Sequence, residues 1–119
     1  MKHLALLLFS GIFVTGGWQQ VQEPHPRAER ARNTGLPIPD EVVSASGWAM
    51  ILGALTIHIK PLRRLTGLML ALQLMPITYI GHRFWEMEAG QARSQNRVHF
   101  FKNVSIIGAA LLIAMTDED

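Results

Sequence analysis

Eighteen consecutive residues without a charge, "VVSASGWAMILGALTIHI" from Val42 to Ile59, constrain this chain more than any other feature. As a helix the run reaches roughly 27 Å at about 1.5 Å per residue, close to the hydrocarbon thickness of a bilayer. A soluble domain would have to hide such a run on every side, whereas a membrane accepts it directly. Three further apolar blocks repeat the pattern: "LALLLFSGIFVTGGW" (Leu4 to Trp18), "LTGLMLALQLMPITYI" (Leu65 to Ile80) and "VSIIGAALLIAM" (Val104 to Met115), the last ended by "TDED".

The expected architecture is therefore all-α: a four-helix transmembrane bundle in one domain, residues 1–119, with spans over roughly 3–20, 42–59, 63–84 and 98–115. The first block has fifteen residues, about 22 Å of helix, and needs its flanks to cross the membrane. A secretory signal peptide would also have a basic start and a short apolar run, but "TGGWQQVQ" offers no clear A-x-A cleavage site, so a retained helix is expected.

The connections are polar. "QQVQEPHPRAERARNTGLPIPDEVV" predicts a short surface helix over 27–33, stopped by Gly35, and an extended "LPIPDE" leading into the second span. "EMEAGQARSQNR" reads as a solvated loop or interfacial helix that Gly90 bends. Pro61 stands where a helix restarts, and Pro76 lies inside the third span, where its missing N–H predicts a kink.

Charge and cysteine content narrow the function. Lys+Arg number 11 and Asp+Glu 9, interleaved along the chain, so there is no nucleic-acid footprint. With no cysteine, neither disulfides nor Cys-ligated metal centres form within the chain, and any redox role must use borrowed groups. No metal site is expected. The tight "KPLRR" turn holds Lys60, Arg63 and Arg64 without an acid, which places it and both termini in the cytoplasm.

With that topology, seven of the nine aromatic residues fall at one face: Trp18, Trp48, Tyr79, Phe84, Trp85, Phe100 and Phe101. An aromatic belt would explain them, but belts occupy both interfaces. The same face holds His82, Arg83, Glu86, His99, Lys102 and Asn103. Thr78, His82 and Glu86 recur every four residues and form one helical stripe; His99, Asn103, Ile107 and Ala110 form another, and the two can face each other. These residues, with Tyr79 and Trp85, are the candidate binding site.

Lys102 either snorkels to the headgroups or pairs with Glu86, an anionic headgroup or a quinone oxygen. Asn103 is expected to make an interhelical hydrogen bond. His58 should cap a helix C-terminus. Only His82 with His99 could supply paired axial ligands, and their interfacial depth argues against haem. Gln73 and Pro76 in the third span, and glycines including Gly17, Gly47, Gly67 and Gly108, are expected to serve packing.

"SGIFVTGGW", "GLPIP", "ILGALTI" followed by a basic turn, "GHRFWE" and above all "HFFKNVSIIGAALL" make the chain resemble the DoxX family of small bacterial four-helix membrane proteins, particularly its actinobacterial members. Where many members carry an arginine early in the first span and a lysine at its end, this chain has "LLLF" and Gln19 or Gln20. The resemblance implies a multi-pass protein of the bacterial plasma membrane. It also implies an accessory or scaffold role beside a redox or oxidative-stress complex, with no cofactor of its own and a quinone or lipid as ligand. Its partners would be membrane lipids, proteins of a membrane complex and further copies of itself. A quinone-linked oxidoreductase subunit and a carrier or receptor for a small hydrophobic molecule are the alternatives, the latter with Gln73 and Pro76 marking a bend in the pathway.

Overall fold

A computed structural model describes residues 1–116. The acidic end of "TDED", residues 117–119, and with it the expected location of the C-terminus, lies outside the described residues. The described chain has no strand and forms five helices: α1 (Lys2–Gln22), α2 (His25–Asn33), α3 (Asp40–Thr56), α4 (Lys60–Gly81) and α5 (Gln91–Met115). A 3₁₀ turn, Phe84–Glu86, links the last two.

Proline and charge punctuate the helices. α1 ends as the chain meets Pro24, whose ring disfavours helical geometry at Glu23. α2 has Pro26 in its first turn and Arg30 and Arg32 in its last, where their charge complements the helix dipole. α3 follows extended Pro39 and opens with Asp40 and Glu41. Gly35 (φ 88°) closes the turn after α2, and Gly90 (φ 153°) opens α5, both in a region that favours glycine.

Among the described residues, three helical segments are long and apolar enough to cross a membrane: Lys2–Gln22, Lys60–Glu86 and Gln91–Met115. The run expected to span over 42–59 gives α3 only 17 helical residues, about 25 Å. Its last residues are spent on the turn before α4. There Arg63, buried despite its charge, donates from Nε to the Ile57 carbonyl oxygen (2.8 Å) and from Nη2 to that of His58 (3.3 Å). Arg63 thus does the capping expected of His58, whose Nε2 instead lies 3.1 Å from Ser10 Oγ on α1.

The helices pack as two close pairs. α1 lies against α3 and α4 against α5, each far more extensively than α3 meets α4, while α2 lies across α3 and α4. In the first pair a Cβ on Gly17 would stand 2.6 Å from the Gly47 carbonyl oxygen. In the second, a Cβ on Gly67 would stand 2.8 Å from the Ala110 carbonyl oxygen. Gly108 faces open space, so Gly67 and Ala110 make the close approach to α5. Phe13, Met50, Ala54, Leu70 and Leu74 form the core between the pairs. Leu7, Leu8, Leu52, Leu65, Leu72 and Leu112 point outward, a surface suited to lipid rather than water.

Candidate functional site

α4 stops at Gly81, and His82 caps it with φ −132°. The stripe expected to run from Thr78 through His82 to Glu86 is therefore broken: Thr78 is buried and bonds its own helix, while Glu86 belongs to the 3₁₀ turn. Rings fasten that turn to α5. Phe84 lies 5.4 Å from Phe100 and 6.2 Å from Phe101, and Trp85 meets Phe100 edge-on at 5.5 Å. Such pairs add roughly 0.5–1.5 kcal/mol each beyond area burial.

Within this frame Arg83 is the most constrained charge. Its Nε donates to Glu86 Oε2 at 2.9 Å and its Nη2 to Glu86 Oε1, a two-pronged pair. The guanidinium carbon sits 4.6 Å from the Tyr79 ring centre and 5.6 Å from that of Trp85. Nη1 is buried without a partner. Glu86 is thus engaged by Arg83 rather than by Lys102, which is exposed.

His82 faces α5. Its Nδ1 lies 2.7 Å from Asn96 Oδ1, and its ring lies 5.6 Å from that of His99. Asn96 also approaches Met87 Sδ at 3.2 Å. The structure gathers Tyr79, His82, Arg83, Trp85, Glu86 and His99 at one end of α4 and α5, leaves Lys102 on the outer surface, and buries Asn103. Trp18 and Trp48 meet separately, 6.2 Å apart, on the α1–α3 pair. Among the described residues no group of three His, Asp or Glu side chains could hold a metal ion. The arrangement suits recognition by a fixed cation and aromatic faces.

A second candidate site lies elsewhere, and of its lining the sequence singles out only Gln73 and Pro76. A cavity of about 180 Å³ opens beneath α2, between α3 and α4, with Arg27 and Arg30 on its α2 side and Gln73, Pro76 and Ile77 along α4. Gln73 Nε2 donates to Ser46 Oγ at 2.6 Å and also to the Ser46 carbonyl oxygen, which ties α4 to α3. Its Oε1 is buried without a partner among the described residues. Gln20, also on the wall, donates to the Val43 carbonyl oxygen at 3.1 Å. The available signal was "RAERA": Ala28 and Ala31, three residues apart, are both buried and seat α2 on the bundle, which leaves Arg27 half-buried and Arg30 exposed at the cavity's edge. Burial pushes the Arg27 guanidinium below its ordinary pKa, and the neighbouring charge of Arg30 pushes the same way.

Comparison with known proteins gives two matches. The DoxX family profile matches residues 3–83, from α1 to the end of α4, so "HFFKN" lies outside the matched stretch. The inner membrane protein YphA of Escherichia coli (strain K12) is 28% identical over 105 residues, 88% of this chain and 74% of that protein. No solved structure matches significantly.

Proposed function

We propose, for a chain that belongs to the DoxX family and is a membrane protein of the inner-membrane type, that it is a non-catalytic accessory protein which docks partners of a redox or oxidative-stress complex through its polar and aromatic end. The observation that carries this is Arg83, clamped by Glu86 and faced by Tyr79 and Trp85. A cation held in one orientation beside the exposed rings of Tyr79, Trp85 and Phe101 needs little ordering before it meets a partner. The same rings and His82 would seat a quinone or a lipid headgroup.

In this reading the chain spans the plasma membrane four times as a single domain, with α3 as the fourth span alongside α1, α4 and α5. Val42, Trp48, Leu52 and Leu55 on α3 point outward and support its contact with lipid. Both termini and the "KPLRR" turn face the cytoplasm.

Purification of the tagged protein in mild detergent, followed by mass spectrometry of its companions, tests the docking. Companion proteins or a bound quinone should be retained by the wild type and lost from Arg83→Ala and Trp85→Ala, both with unchanged helical circular dichroism. A lone wild-type protein with no bound quinone or lipid would overturn the proposal. A second reading, a receptor for a small hydrophobic molecule, has the cavity beside Gln73 and Pro76 in its favour.

A further inference from the structure

We infer that the cavity beneath α2 binds a small organic anion, with its oxyanion on Arg27 and Arg30 and its apolar body between α3 and α4. This deepens the receptor reading and rests on it. Three observations point to that ligand chemistry.

The first is charge. Arg27 and Arg30 both line the cavity, and among the described residues no acidic one does. Arg27 Nη2 spends one hydrogen bond on the neutral Gln19 Oε1, at 3.3 Å, which leaves its charge uncompensated. Near the start of α2 two carboxylates lie beside His25 instead, with Nδ1 3.4 Å from Asp40 Oδ2 and Nε2 4.0 Å from Glu29 Oε2. Two guanidinium groups on one wall repel each other, and an oxyanion beside them offsets that repulsion while accepting their forked N–H groups.

The second is size and lining. Behind the arginines the wall is apolar, with Val43, Ile77 and Ile80 among its residues. A volume of about 180 Å³ exceeds the roughly 150 Å³ of an engineered cavity that binds benzene. One ring or a short alkyl segment fits, and a two-chain phospholipid could enter by its headgroup alone.

The third is what keeps the space open. The Gln73 and Ser46 hydrogen bonds hold α3 and α4 together at the depth of Gln73, and α2 crosses both helices above. Burying Gln73 Oε1 without a partner costs stability, and a purely structural seam has no need of that cost.

The oxyanion could belong to a soluble acid or to the headgroup of an anionic bilayer lipid, and the test separates these. The full-length protein in phosphatidylcholine nanodiscs is irradiated with 4-azidobenzoate or with its uncharged methyl ester, and the adducts are mapped by mass spectrometry. The acid should label cavity residues on α3 and α4 at least tenfold more than the ester does. Labelling should fall about tenfold in Arg27→Gln/Arg30→Gln and also in Ile80→Trp, which fills the space without touching the charge. Competition by benzoate or phenyl phosphate supports a soluble acid, and loss of labelling only when phosphatidylglycerol is added to the nanodisc supports a lipid headgroup. Equal cavity labelling by acid and ester, unchanged in the arginine variant, would overturn the anion inference while leaving a receptor for neutral molecules. No cavity labelling by either probe would overturn the receptor reading as well.

Discussion

The seam between α1 and α3 and the junction between α3 and α4 are built from similar apolar helices, yet one is closed and the other holds a cavity. At the first, Gly17 and Gly47 bring the backbones so near that neither has room for a Cβ. At the second, Gln73 reaches across to Ser46 and the helices stay apart beside Pro76 and Ile77. Lipid tails are as apolar as leucine, so burial alone gives two membrane helices little reason to close; fit and hydrogen bonds decide. Small residues facing each other close the first seam even though Gln20 bridges it to the Val43 carbonyl oxygen, whereas at the second the Gln73–Ser46 bridge borders a space.

The comparison is broken most directly at the closed seam. Gly17→Val should cost about 3 kcal/mol through overpacking against the Gly47 backbone, read as a lowered unfolding midpoint in an SDS titration followed by circular dichroism. Wild-type stability in that variant would show that the glycine contact does not hold α1 to α3. Next comes the turn that sets the length of α3. Arg63→Met should lose about 2 kcal/mol, because the Ile57 and His58 carbonyls lose their donor, and Arg63→Lys should recover only part of it.

The open junction should respond less. Ser46→Ala removes part of the strut and should cost about 1 kcal/mol, whereas Gln73→Leu should be closer to neutral because it also removes the unpaired Oε1. If Gln73→Leu proved the more damaging of the two, the amide would be satisfied in a way this geometry lacks. Smallest of all, Gly108→Ala should stay within about 0.5 kcal/mol of wild type, since its Cβ would meet nothing within 4 Å. Thermal unfolding in the same detergent checks it.

Much of the candidate site was legible because its residues are near one another in sequence or fall at helix ends. "GHRFWE" and "HFFKN" are interfacial by position, and aromatic pairing between Phe84, Trp85 and Phe100 follows once α4 and α5 are neighbours. The partner of Glu86 was not legible. Helical extrapolation from Thr78 places Glu86 on a stripe facing His99 and Asn103, with Lys102 as one alternative partner, but the helix ends at Gly81, and a short turn lets Arg83 reach Glu86 three residues on. The cavity was hidden for a different reason. Its walls come from residues as distant as Gln20 and Gly81, and the alanines of "HPRAERARN" tell only that α2 is seated on the bundle, not that a space lies beneath it.

By itself the sequence determined that the chain is helical and where its apolar runs lie, though the length left to α3 depended on the turn before α4. Run length, proline position and the charge at each boundary are local quantities that act before any helix meets another. Only the tertiary structure decided which helices touch, which glycines matter and where space remains. Those outcomes depend on distances between backbones, set by every side chain along a seam at once: Gly17 and Gly47 shorten one such distance, Gln73 and Ser46 fix another, and Arg27 and Arg30 of α2 line a cavity only because of the space between.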